Sequence, residues 1–161
     1  MSETITVSYN KEQPPNSNLE NARQLFMPII ESMESCVNKL KENPEDQDAL
    51  DTLKTEYDRY TTHLDIFENI PRAADYRKQN IPLEISAAQQ AAYNDLSENG
   101  VMNKTYSHMI RTYIGGVQGI ITEEDLNFRQ EFISLALEQL EILKNFFIKG
   151  DLTDDAQVPI N

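Results

Sequence analysis

Two runs of apolar residues, spaced three and four positions apart, most constrain the fold of this chain. The first run comprises Leu19, Ala22, Phe26, Ile29, Met33, Cys36 and Leu40. The second comprises Leu50, Leu53, Tyr57, Tyr60, Leu64 and Phe67. A mean period of about 3.5 residues keeps one apolar seam along a helix and turns it toward a partner helix. Because Asn43-Pro44 separates the two runs, the sequence predicts an antiparallel, coiled-coil-like helical hairpin.

Polar residues and proline set the predicted ends of the first helix. Ser17 followed by Glu20 matches a capping box, so we expect a helix from there to about Glu42. Pro28 lies inside this helix, where a proline removes one backbone hydrogen bond. Because the apolar seam continues on both sides of Pro28, we expect a kink there rather than a break.

The second helix is predicted to start at Asn43, with Pro44 in its first position. It should end near Asn69, because Pro71 disfavours helical backbone at the residue before it. The following prolines leave room for about two turns of helix, which we place at 73–78. This stretch is the predicted hinge between two halves of the molecule.

The second half opens with another capping box, formed by Ser86 and Gln89. Gly100 should end this helix, and Asn103 is placed to cap the next one. The group Gly115-Gly116 with Gly119 is then predicted to stop or bend the chain in a turn.

The last helix is predicted to begin with the acidic run 122–125 and to extend to Lys149. One of its faces comprises Leu126, Ile133, Ala136, Leu137, Leu140, Leu143 and Phe147. A second set widens that face and comprises Phe128, Phe132, Leu135, Ile142 and Phe146. A helix this broadly apolar is either central in a bundle or contacts a second protein.

These features predict an all-α chain whose N-terminal hairpin joins a C-terminal helical subdomain in a helical bundle. The predicted organisation is a flexible arm at 1–17, the hairpin at 18–70 and the hinge with its short helix at 71–85. The helical subdomain follows at 86–150, and an acidic tail occupies 151–161.

The chain is strongly acidic, with 27 acidic against 14 basic side chains and a net charge of −13. Such a charge repels nucleic acid and anionic lipid, so we expect neither direct nucleic-acid binding nor membrane binding. No run of apolar residues is long enough for a transmembrane helix. Residues 1–18 lack the basic and apolar regions of a secretory signal, so the expected location is cytoplasmic.

The sequence offers no recognisable catalytic, cofactor or metal motif. Cys36 is the only cysteine and lies on the first seam. His63 and His108 are the only histidines, and neither follows a glutamate at the spacing used in di-iron bundles. We therefore expect no enzyme activity, no cofactor and no metal, although an acid or base in a bundle pocket would need no motif.

The leading hypothesis is a non-enzymatic interaction module, a chaperone or adaptor that binds another protein through apolar helix faces. The candidate partner-binding residues are Met27, Ile30, Met33, Phe132, Leu135 and Phe146. The hairpin seam raises a further alternative, because it can close either within one chain or across a homodimer.

A second hypothesis rests on a group of aspartates in the second helix. They are Asp48, Asp51, Asp58 and Asp65. In this alternative the chain is an inhibitor that covers a basic nucleic-acid-binding protein, with carboxylates in place of phosphates. A small helical-bundle enzyme is the third alternative.

Overall fold

The computed structural model describes residues 3–4, 17–98, 104–149 and 159–160. The chain is an all-α bundle, which confirms the predicted fold class. The helices are α1 (Glu20–Glu42), α2 (Gln47–Asn69), α3 (Ala73–Lys78), α4 (Ala87–Glu98), α5 (Lys104–Tyr113), α6 (Gly115–Thr122) and α7 (Leu126–Lys149). A two-residue strand, β1 (Glu3–Thr4), pairs antiparallel with β2 (Pro159–Ile160).

Helices α1 and α2 form the predicted antiparallel hairpin. Phe26, near the start of α1, lies 5.6 Å from Phe67, near the end of α2, measured between ring centroids. All seven residues of the first predicted seam are buried. In the second seam, Leu50 and Tyr57 are partly buried and the other four residues are buried. The two seams are therefore filled within one chain.

Helix α1 lies against three other helices, because it contacts α4 and α7 as well as α2. The ring of Phe26 stacks on Phe147 of α7 with centroids 4.9 Å apart. Lys144 of α7 donates to the carboxylate of Glu34 at 3.1 Å. The hairpin and the C-terminal helices consequently share one hydrophobic core.

The start of α1 differs from the prediction. A 3-10 turn at Ser17–Leu19 precedes the helix, and the cap residue Leu19 makes no side-chain cap hydrogen bond. The cap comes instead from α4, because Oδ2 of Asp95 accepts from the backbone N–H of Asn21 at 2.7 Å and of Ala22 at 3.1 Å. A carboxylate at this position satisfies free N–H groups and interacts favourably with the helix dipole.

The start of α2 also lies later than predicted. Asn43 and Pro44 belong to a turn, in which the side chain of Asn43 accepts from the N–H of Glu45 at 3.1 Å. Asp46 caps the helix and accepts from the N–H of Ala49 at 3.1 Å. The predicted end at Asn69 is correct. Both candidate caps are good acceptors, so the sequence signal alone does not choose between them.

Two predictions in the middle of the chain are confirmed in detail. Helix α3 occupies 73–78, as expected from the flanking prolines. At the start of α4, Oγ of Ser86 accepts from the N–H of Gln89 at 3.0 Å, and Oε1 of Gln89 accepts from the N–H of Ser86 at 2.9 Å. This is a complete, reciprocal capping box.

The glycines at 115–119 do not form the predicted turn. Helix α5 ends at Tyr113, and all three glycines lie inside the next helix, α6. An added Cβ at Gly116 would lie 2.9 Å from the backbone nitrogen of Ala136 in α7. Gly116 and Gly119 therefore allow close contact with α7, and the predicted stop lies just before the glycines, at the end of α5.

Several predictions concern residues outside the described ranges. They are the structure of most of the arm at 1–17 and of the tail at 151–161, the terminator Gly100 and the cap Asn103.

At Pro28, the expectation that the helix does not break is confirmed, because α1 continues through this residue.

Candidate protein-interaction surface

The start of α7 is fixed by one cap and one arginine. Oδ1 of Asp125 accepts from the N–H of Asn127 at 2.8 Å, as expected for an N-cap. Nε and Nη2 of Arg129 donate to the carbonyl of Glu123 at 3.1 and 2.9 Å, and its Nη1 donates to the carbonyl of Pro44 at 2.8 Å. Arg129 thus ties the first turn of α7 to the α1–α2 loop.

Along α7, a second apolar seam runs beside the core-facing side with spacings of four and three residues. It comprises Phe128, Phe132, Leu135, Ile142 and Phe146, with Gln139 as a polar residue among them. Seven residues make nearly two helical turns, so alternate members of this seam form two parallel rows. The structure packs one row inward and leaves much of the other at the surface.

The inner row contacts α6. The ring of Phe132 lies over Gly119, where an added Cβ would be 2.3 Å from a ring carbon. Oε1 of Gln139 accepts from the N–H of Gly116 at 2.9 Å, which satisfies a free amide at the start of α6. Phe146 is buried. This row therefore packs against the rest of the protein, with Phe132 and Gln139 partly buried and Phe146 fully buried.

The outer row consists of Phe128, Leu135 and Ile142, which we call the α7 stripe. Phe128 is 54% exposed, Leu135 is 39% exposed and Ile142 is partly buried. Leu126 is 38% exposed but lies on the opposite side of the helix, two residues before Phe128. Large apolar side chains aligned at the surface are typical of binding sites, whereas isolated ones need no explanation.

The structure places the six predicted partner-binding residues in different environments. Ile30, Met33 and Phe146 are buried in the core, which makes them unavailable at the surface of the folded chain. The partly buried residues are Met27 and Phe132, which pack against the core. Only Leu135 is exposed. Phe128 and Ile142 were not among the predicted residues, although their spacing of seven from Leu135 is visible in the sequence.

The four aspartates singled out in α2 are all exposed, and we call them the acidic face. Asp48, Asp51, Asp58 and Asp65 follow one another at intervals of three and seven residues, which aligns them along one side of the helix. At one end of the face, Asp65 forms an ion pair with Arg111 of α5. The same guanidinium donates to Glu68 at 3.1 Å.

Cys36 and Tyr60 are buried in the bundle, and His63 is partly buried. Burial raises the pKa of the Cys36 thiol and the pKa of the Tyr60 hydroxyl, so both stay protonated at neutral pH. Burial, together with nearby Arg59, lowers the pKa of His63. His108 is exposed.

Two other kinds of site are absent from the described residues. These residues contain no group of three or more His, Cys, Asp or Glu side chains arranged to hold a metal ion. In the same part of the chain, no helix combines the length and apolar character needed to cross a membrane. Comparison with known proteins found no matching family model, curated protein or solved structure.

Proposed function

We propose that this chain is a cytoplasmic, non-enzymatic module, a chaperone or adaptor, that binds another protein through the α7 stripe. The observation that carries the proposal is the alignment of Phe128, Leu135 and Ile142 along one line of a helix, beside the side that is built into the core. Exposure of Phe128 and Leu135 to water is unfavourable by about 25 cal/mol for each Å² of apolar surface. A partner that covers the stripe would recover this free energy.

The rigidity of the helix supports the proposal. The first turn of α7 is held by Asp125 and Arg129, and its inner row packs on α6. A helix that is already ordered loses little backbone conformational entropy on binding, which favours affinity. Apolar binding of this kind should tolerate high salt, because it does not depend on exposed charges.

The test compares two leucines of almost equal exposure. The tagged chain, Leu135→Ser and Leu126→Ser are purified from the native cells after nuclease treatment and washing in high salt, and the bound proteins are identified by mass spectrometry. We expect one stoichiometric partner with the original chain and with Leu126→Ser, and its loss with Leu135→Ser. Circular dichroism of both variants checks that the fold is retained.

The pair of variants separates loss of the stripe from a general effect on α7. Equal recovery of the partner with both variants would mean that the stripe is not the binding surface. Loss of the partner with both variants would point to a general effect of adding a polar group to α7.

The acidic face supports a second candidate function, in which the chain covers a basic nucleic-acid-binding protein. Its outermost members, Asp48 and Asp65, are separated by about 26 Å along α2 at 1.5 Å per residue. An exposed row of carboxylates over that distance can replace several phosphates of a nucleic-acid strand.

This second candidate predicts a basic partner that is released by salt. Replacing Asp48, Asp51 and Asp58 together by Asn should then weaken binding strongly while leaving the fold intact. Full affinity of the triple variant for the recovered partner would exclude phosphate replacement by this face.

A further inference from the structure

The two edges of the α7 stripe differ in charge. Glu131 and Glu138 are exposed and follow Phe128 and Leu135 at the same interval of three residues, so both lie along one edge. Neither carboxylate forms an ion pair within the described part of the chain. The other edge is bounded by α6 and, at Gln139, by α5, and neither helix contains an acidic residue. The stripe therefore has one acidic edge and one edge without acidic residues.

The spacing of the α7 stripe matches that of a surface that binds a second helix. Its three side chains recur every seven residues and extend over about 21 Å, which corresponds to four helical turns. A single row with this period meets the apolar positions of a second helix, which repeat at the same interval.

We propose that the occupant of the α7 stripe is one amphipathic helix of another protein, with Lys or Arg along the side that faces Glu131 and Glu138. This inference rests on the proposed function and adds the chemistry of the partner. Glutamates beside an apolar seam attract basic residues at the flanking positions of the facing helix and repel acidic ones. The net charge of −13 acts in the same direction over longer distances.

The same charges disfavour two other occupants. A second copy of the chain would bring its own Glu131 and Glu138 to the interface, together with another net charge of −13. The C-terminal segment 151–161 contains three aspartates and no basic residue. Like charges facing each other across an interface weaken it, so neither occupant matches the acidic edge.

The test uses two synthetic helical peptides of roughly three heptads, with Leu at the apolar positions. One peptide carries Lys at the flanking positions and the other carries Glu. Fluorescence anisotropy measures their binding to the full chain, to Leu135→Ser, and to a double variant with Glu131→Gln and Glu138→Gln. The matched controls are Leu126→Ser and a double variant of the acidic face with Asp51→Asn and Asp58→Asn.

We expect the Lys peptide to bind at least about tenfold more tightly than the Glu peptide. Leu135→Ser should abolish this binding, and the double glutamine variant should weaken it about fivefold, because two exposed ion pairs are lost. The two controls should bind the Lys peptide like the original chain.

Three results would overturn the inference. They are equal affinity for both peptides, weakening by the Asp51/Asp58 variant instead of the Glu131/Glu138 variant, and a dimer in sedimentation that Leu135→Ser dissociates. Equal peptide affinities that both depend on Leu135 would leave the proposed function standing and reject only the basic partner. Peptide binding and native-partner recovery that are both independent of Leu135 would reject the proposed function as well.

Discussion

The α1–α2 hairpin and the α6–α7 pair bury apolar surface in opposite ways. In the hairpin, large side chains pack against one another, and the Phe26 ring lies 4.9 Å from that of Tyr60. Between α6 and α7, the backbone itself comes close, because Gly116 lies against Ala136. The packing of the hairpin therefore depends on large side chains. The contact between α6 and α7 depends on glycines, which have no side chain to keep the helices apart.

This difference predicts opposite sensitivities to mutation. Removing atoms from the hairpin should leave cavities, whereas adding atoms between α6 and α7 should force the helices apart. The same difference affects function, because the close approach of α6 orients the inner row of α7 and leaves the α7 stripe outside.

Phe26→Ala should destabilise the protein most, by about 4 kcal/mol. Phe26 is fully buried and its ring contacts the rings of Tyr60, Phe67 and Phe147. The free energy of unfolding is measured by urea titration. Phe132→Ala is the matched truncation on α7 and should cost less than half as much, because that ring is only partly buried. Similar losses for the two variants would contradict the proposed difference between the regions.

Gly116→Ala should lower the free energy of unfolding by about 2 kcal/mol, since the new methyl group overlaps the backbone of Ala136. Gly115→Ala is the control in the same helix, because no atom lies within 4 Å of the added Cβ. It should be neutral or stabilising by up to about 1 kcal/mol through its better helix propensity. A ranking of the two variants in the reverse order would show that the close approach is not required.

Asp95→Ala should destabilise by about 1 kcal/mol, because α1 loses the acceptor of two N–H groups in its first turn. The effect should be local, so hydrogen exchange at the amides of Asn21 and Ala22 should accelerate more than exchange elsewhere in α1. Ser97→Ala, at an exposed position of α4, serves as the control. Unchanged exchange at the two amides would mean that the hairpin needs no cap from α4.

The smallest effect concerns the contact of α2 with α4. The side-chain oxygen of Gln89 accepts from the N–H of Ser86, so the Nε2 of Gln89 is free to donate to Nδ1 of His63 at 3.0 Å. Nδ1 can accept this hydrogen bond only when the imidazole of His63 is neutral. The lowered pKa of His63, caused first by burial and then by Arg59, agrees with this state. The folded protein therefore binds the proton less readily than the unfolded chain does.

The neutral His63 side chain therefore contributes its whole stabilising effect above about pH 6.5. This contribution to the free energy of unfolding decreases as the pH falls below that value. We expect a decrease of under about 1 kcal/mol, since the ring is only half-buried and is screened by solvent. The measurement is urea unfolding between neutral and mildly acidic pH. His63→Gln should remove this pH dependence, and His108→Gln, at an exposed position, should retain it. The same pH dependence in both variants would exclude His63 as its source.

Local patterns in the sequence were sufficient for the hairpin, for the short helix at 73–78 and for the capping box of α4. Each depends on residues that lie within one or two turns of one another, so spacing and propensity carry the information. The candidate surface was predicted less well. Leu135 was expected at the surface and is exposed, but Ile30 and Phe146 were expected there and are buried.

Sequence patterns were enough to predict the helical segments other than α6, because helical periodicity is a local property. The packing of whole helices settles which apolar positions meet water. Three neighbours surround α1 and bury Ile30, whereas α6 covers one row of the α7 seam and not the other. The same packing also decides that Asp95 caps α1 from 74 residues away along the chain. Contacts of this kind depend on how whole helices pack, and the spacing of residues within one helix does not encode them.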